Sequence, residues 1–205
     1  MIPATGIRST DSVEPRAPET GRRIPGEAEL WIFILGDLTV FAGFFIAYLW
    51  ALRENTATFV HDSAELLIPL GLINTVVLLT SSYLVLMAVH HQRGGCVDAA
   101  RRLLDVTLAG AGVFIACKTI EYALEVASGH GLASSEFFMY YFVLTGLHLL
   151  HVAIGSVLLL VWRRSTVAGR QAVSTRFAEG AAVYWHMVDL LWVIIFTLLY
   201  LGSPA

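Results

Sequence analysis

Five stretches of this chain, roughly 30–52, 66–90, 103–127, 137–162 and 180–201, are long and almost wholly apolar. A helix rises about 1.5 Å per residue, so about 20 apolar residues match the hydrocarbon core of a bilayer. In that medium each backbone N–H and C=O must be paired internally, which leaves only helices and closed barrels. The blocks are continuous and lack the alternating polarity of a barrel strand. The chain is therefore expected to be an all-α integral membrane protein, a bundle of five transmembrane helices. Composition agrees: 57% of the 205 residues are hydrophobic and 14% are charged, too little polar surface for a soluble globule.

Arginine predicts the orientation. With five spans, the N-terminal segment, the second loop and the fourth loop share one side. That side carries Arg8, Arg16, Arg22, Arg23, Arg93, Arg101, Arg102, Arg163, Arg164, Arg170 and Arg176, against Arg53 alone on the other. The positive-inside rule places the N-terminus in the cytoplasm and the C-terminus outside, in a multi-pass protein. Residues 1–25 hold Pro3, Pro15, Pro18 and Pro25 among scattered charges and are expected to form a disordered cytoplasmic tail. They contain no apolar signal-peptide core, so the first span is expected to serve as its own insertion signal. Residues 26–205 are expected to form the membrane domain. Its first loop, about 53–65, has Asp62 and Ser63 as a helix start ahead of Glu65. Gly94 and Gly95 mark a helix stop. Ser128-Gly129-His130-Gly131 marks a turn, and Ser134 and Ser135 resemble a cap before Glu136. Cys96 and Cys117 fall in a loop and a span, so a disulfide between them is not expected.

Ionisable residues are rare at membrane depth, and here they form groups. In the fourth span His148, His151 and Gly155 stand one above another on a helix, giving a stripe that permits close approach. A buried imidazole there is expected to hydrogen-bond to a neighbouring helix. A haem or metal site is the alternative, and His-x-x-His without a third ligand nearby is a weak signal for one. In the last span His186 and Asp189 are three apart and can pair, beside Tyr184, Trp185 and Trp192. The rings suit an interfacial belt, whereas Asp189 calls for a partner on a neighbouring helix. In the third span Lys118, Glu121 and Glu125 share a face with Tyr122 alongside. Self-neutralisation of Lys118 by Glu121 is favoured over proton transfer through Glu121. Asp37 in the first span has no cation in its own helix nearer than Arg53, so it is expected to face protein, with a proton or lipid role to be tested.

No P-loop, dinucleotide fingerprint, haem-attachment motif or nucleophile with a flanking base is present, and no basic array suits nucleic acid. The spans do not divide into two similar halves, which counts against an inverted-repeat transporter. An independent proton or cation transporter using Asp37, Glu121 and Asp189 remains a competing class.

Several motifs carry a resemblance. They are Phe41-Ala42-Gly43-Phe44-Phe45 after Asp37; Leu72-Ile73-Asn74-Thr75 with Ser81-Ser82; His90-His91; and Glu121-Tyr122. Thr145-Gly146-Leu147-His148 with His151-Val152 and Gly155 follows, then Glu179-Gly180, and Tyr184-Trp185-His186 with Val188-Asp189 and Trp192. Spread over about 27–202, these resemble the subunit III family of haem-copper oxidases, that of cytochrome c oxidase subunit 3, in its short five-helix form. The resemblance implies a non-catalytic subunit of a respiratory complex in a bacterial-type inner membrane. Such a chain binds no haem, copper or iron itself; these belong to the partner, catalytic subunit I, with subunit II or its equivalent. It implies bound phospholipid and support of proton uptake. It also implies that Asp37 stands where the family has a carbodiimide-reactive glutamate. Gly36-Asp37, Lys118 before Glu121, and the run Phe137-Phe138-Met139-Tyr140-Tyr141-Phe142 resemble an associated branch, the accessory homologues that support nitric oxide reductase.

Overall fold

The computed structural model describes residues 28–167 and 175–202. The predicted N-terminal tail and residues 168–174 of the arginine-rich fourth loop lie outside them. The described residues form α1 (Ala28–Glu54), α2 (Thr56–Ser63), α3 (Ile68–Arg93), α4 (Val97–Ala127), α5 (Glu136–Val167) and α6 (Thr175–Phe196). A wide π turn, Thr197–Leu201, continues α6. There is no strand among the described residues, and five of the helices are long and apolar enough to cross a membrane. The spans mostly run beyond their apolar blocks, α4 furthest, starting at Val97 rather than near 103, whereas α3 starts at Ile68, inside the block that opens near 66. The apolar block measures hydrocarbon depth, while the helical ladder continues through interfacial residues such as Asp98, Arg101 and Arg102.

The first connection differs from expectation. Asp62 and Ser63 end a helix, α2, instead of starting one. The next begins at Ile68 with Pro69 in its first turn, where a missing N–H costs nothing. What holds so short a helix is Phe59, fully buried, with its ring 5.5 Å from Tyr48 and 5.7 Å from Phe137 in edge-on contacts. A single anchor in eight mixed residues leaves no periodic signal. The other boundaries follow the turn chemistry. Gly95 (φ +77°) and Gly129 (φ +91°) take left-handed conformations just past α3 and α4. The His130 N–H donates to the Glu125 carbonyl at 2.9 Å, closing the end of α4. Ser135 caps α5 by accepting from the Phe138 N–H at 3.3 Å, and its hydroxyl donates to Asp62 Oδ2 at 2.5 Å.

α6 lies at the centre, against α3 on one side and α5 on the other, and α4 closes the bundle by packing on α3 and α5. Its apolar window is 61% buried within the protein; that of α1 is 11% buried, so α1 leans on the bundle and turns Ile32, Leu35, Val40 and Ile46 outward. Lipid tails are as apolar as leucine, so helices in a bilayer associate through close packing and hydrogen bonds. Gly155 provides such an approach: a Cβ there would lie 2.8 Å from Trp185 Cε3. Around Gly112 of α4 there is open space. Gly155→Ala is therefore expected to cost about 1–3 kcal/mol through overpacking, whereas Gly112→Ala leaves stability unchanged or raised. Reversible unfolding in mixed micelles distinguishes the two.

Candidate functional site: a sealed polar seam and one open ion pair

Lys118 and Glu121 are both completely buried. One helical turn apart on α4, they sit where α5 and the π turn each present a tyrosine. Lys118 Nζ donates to Glu121 Oε2 at 3.0 Å, Tyr141 Oη at 3.1 Å and Tyr200 Oη at 3.1 Å. An ammonium has three hydrogens, and each has an acceptor. The Tyr200 hydroxyl donates in turn to Glu121 Oε1. Nζ also lies 4.7 Å from the centre of the Tyr141 ring and 5.5 Å from that of Trp192. The expected self-neutralised pair is present, and two tyrosines complete it. The π turn contributes further, since its Leu198 carbonyl accepts from the Tyr48 hydroxyl at 3.1 Å and so tethers α1.

Glu125, expected on the same face, leaves this cluster. It faces His130 Nδ1 at 3.2 Å, while His130 Nε2 faces Glu65 Oε2 at 2.9 Å. The imidazole stacks on Phe138 with centroids 4.5 Å apart and joins the α2–α3 connection to the ends of α4 and α5.

The two histidines of α5 diverge. His148 is fully buried, edge-on to Phe114 at 5.4 Å and 5.1 Å from the Trp192 ring. Neither of its ring nitrogens has a hydrogen-bond partner among the described residues, contrary to the interhelical bond expected for it. His151 turns to α1 instead. Its Nδ1 donates to the Leu147 carbonyl at 2.7 Å, leaving Nε2 facing Asp37 Oδ2 at 3.4 Å, with Phe41 edge-on to the ring. A step of three residues turns a helix by about 300°, enough to send two side chains of one broad face to different neighbours. The side chains of Asp37 and His151 remain 22% and 12% exposed, which sets this pair apart from the sealed seam.

In α6 the expected His186–Asp189 pair does not form. His186 Nδ1 lies 2.5 Å from Ser82 Oγ of α3. Asp189, 3% exposed, has no hydrogen-bond partner for either oxygen among the described residues. Trp185 and Trp192 are not belt residues, being fully buried and donating through Nε1 to Ser81 Oγ and Thr75 Oγ1 of α3, each at 3.0 Å. Tyr184, also buried, stacks on Phe33 of α1.

At the arginine-rich end Arg93 pairs with Glu179 at 2.7 Å, Arg163 with Asp105, and Trp162 donates to Gln92. Cys96 and Cys117 are both free. Tyr200 and the Glu65–His130 contact were not anticipated. Tyr200 ends an apolar run, where an aromatic ordinarily signals an interface, and its partner lies 79 residues away in sequence. Only the fold brings them together.

Among the described residues no group of three or more His, Cys, Asp or Glu side chains could hold a metal ion. The structure thus defines a multi-pass helical membrane protein whose polar residues mostly join helix to helix. A profile for cytochrome c oxidase subunit III matches residues 26–203. Cytochrome c oxidase subunit 3 of Bacillus sp. (strain PS3) is 32% identical over 194 residues, covering 91% of this chain and 92% of the relative. Quinol oxidase subunit 3 of Bacillus subtilis (strain 168) is 32% identical over 189 residues, 89% of each. A haem-copper oxidase subunit I+III of Aeropyrum pernix is 31% identical over 187 residues, covering 84% of this chain and 22% of that longer protein. The chain belongs to the cytochrome c oxidase subunit III family, within the haem-copper oxidases.

Removing one partner of a buried ion pair leaves a charge with no counter-ion, a loss of about 3–5 kcal/mol, whereas removing both is often nearly neutral. Lys118→Met is expected to destabilise by that amount and the double change Lys118→Met with Glu121→Gln by much less. A double-mutant cycle in mixed-micelle unfolding measures the difference.

Proposed function

We propose that this chain acts as a non-catalytic subunit III that packs against catalytic subunit I of a respiratory oxidase, stabilises it and supports its proton supply. The haem, copper or iron centres belong to that partner. Family membership supports the assignment to an oxidase, and the A. pernix relative carries subunits I and III in a single chain. The relatives compared are named for cytochrome c and quinol oxidases. The nitric oxide reductase branch and the independent ion transporter draw no support from them.

The observation that carries the proton role is the Asp37–His151 pair, an acid and a base from two apolar blocks in contact at 3.4 Å and left partly open on the flank of the bundle. The Leu147 carbonyl accepts from Nδ1–H and so fixes the tautomer, which directs Nε2 at the carboxylate. One proton between the two serves either as imidazolium with carboxylate or as imidazole with carboxylic acid. Both forms are neutral overall, so the proton can move between them without leaving a net charge in the bilayer. Aspartate, shorter than glutamate by one methylene, comes within ion-pair distance of His151 but short of a hydrogen bond, so proton passage requires the two side chains to close up further. Glu121, sealed by Lys118 and Tyr200, has the structural role of neutralising Lys118. His148 and Tyr184 through ring contacts, and His186 and Trp185 through hydroxyls of α3, hold α5 and α6 in the bundle, with Asp189 buried among them. Phospholipid is the natural neighbour of the outward face of α1. The cytoplasmic N-terminus and external C-terminus rest on the arginine distribution.

An affinity-tagged chain, purified in gentle detergent from membranes of its own cells, is expected to bring a haem-bearing subunit with it. Recovery as a monodisperse, colourless protein refutes the assignment. In the complex, Asp37→Asn is expected to leave the haem content unchanged and lower turnover several-fold; turnover equal to that of the parent removes the proton role. A C-terminal alkaline phosphatase fusion is expected to be active and the corresponding fluorescent-protein fusion dark, with the reverse pattern inverting the topology.

A further inference from the structure

Four side chains are fully or almost fully buried and have no hydrogen-bond partner for any polar atom among the described residues; one, Tyr184 of α6, faces α1 through its stacking on Phe33, and the other three belong to the helices that pack on and around α6. These three are Asn74 of α3, His148 of α5 and Asp189 of α6. Buried polar groups in folded proteins nearly always find a partner, in the protein or in a bound water.

The helix register places the three at neighbouring levels of the bundle. Contacts between residues 75 and 192 and between 81 and 185 show that α3 and α6 run antiparallel, which sets Asn74 beside Trp192 and Asp189 beside residue 78. On the other side, Gly155 against Trp185 and His148 against Trp192 show that α5 and α6 are also antiparallel. Asn74 and His148 therefore flank Trp192 at one level, and Asp189 stands one turn away on the same helix. A turn rises about 5.4 Å. Two hydrogen bonds of about 2.8 Å through one water span about that distance.

Protein groups near the three are already engaged. Trp192 Nε1 donates to Thr75 Oγ1, whose hydroxyl donates to the Gly71 carbonyl at 2.8 Å. Ser81 Oγ accepts from Trp185 and donates to the Leu78 carbonyl at 2.7 Å. Ser82 lies between His186 Nδ1, at 2.5 Å, and Asp189, and its single hydrogen serves one of the two, so it satisfies at most one of the two Asp189 oxygens. Lys118 has spent its three hydrogens on Glu121, Tyr141 and Tyr200.

We propose that Asn74, His148 and Asp189 form the wall of an internal hydration site around Trp192, in which bound water bridges helices α3, α5 and α6. An amide, an imidazole and a carboxyl offer both donors and acceptors, and a buried water takes about three bonds of mixed sense. The site is a second polar seam that shares Trp192 with the Lys118 cluster.

Radiolytic footprinting tests the site in the intact complex, purified with its partner subunits, because hydroxyl radicals formed from bound water label the side chains that touch it. After exchange into water enriched in the heavy oxygen isotope and a short X-ray pulse, heavy-oxygen label at Trp192 and His148 is expected to exceed that at Trp162 several-fold. Trp162 is equally buried, but its indole is satisfied by Gln92. Label at Trp192 and His148 no greater than at Trp162 overturns the proposal. Asn74→Leu, in complexes that retain the partner haem, is expected to lower the Trp192 label several-fold. Undiminished label in that variant overturns the role of Asn74 in the wall. Should the variant fail to assemble, the comparison within the parent complex decides.

Discussion

Inside a bilayer, apolar side chains gain little by exchanging lipid for protein, so helices are held by close packing and by hydrogen bonds with no competing water. In this chain both converge on α6. Its tryptophans bond to hydroxyls of α3, its flank meets Gly155 of α5, and its terminal tyrosine closes the lysine cluster of α4. The other spans are ordered by what they offer α6: small residues and hydroxyls on α3, a glycine and a histidine on α5, an ion pair on α4. α1 offers least and is least buried.

This division separates two kinds of intramembrane charge. Lys118 with Glu121 is shut in, fully paired, and useful as a joint between four segments of chain. Asp37 with His151 is an acid and a base on different helices, still partly open, and the pair to which the proposed proton role falls. Both would look alike in a hydropathy profile. Burial and the number of committed hydrogen bonds distinguish them.

The architecture was legible because bilayer thickness imposes a length that apolar blocks display directly, and the glycine stops and the serine cap appear where chain chemistry demands them. The Lys118–Glu121 pair was legible because its members lie one turn apart on one helix. What escaped was set by tertiary contact. Phe59 stabilises a helix that has no periodicity of its own, and Tyr200 meets Glu121 from the far end of the chain. His148 and His151, placed on one stripe by spacing, go to different neighbours because α1 and α6 approach α5 from different sides. His186 and Asp189 are near enough to pair along α6, but Ser82 competes for the imidazole from α3.

The π turn at Thr197–Leu201 gives the end of α6 an unusual sensitivity to chain length. Wide turns of this kind occur mostly as single-turn interruptions of a helix. Here the widening sets the angular position of Tyr200 relative to Trp192 and frees a carbonyl for Tyr48. Loss of one residue would restore a regular helix and rotate everything beyond it by about 100°. Tyr200 would then swing away from Lys118 and Glu121 while the segment stayed equally apolar and equally helical. Relatives could therefore exchange many side chains in this last turn more readily than they could change its residue count.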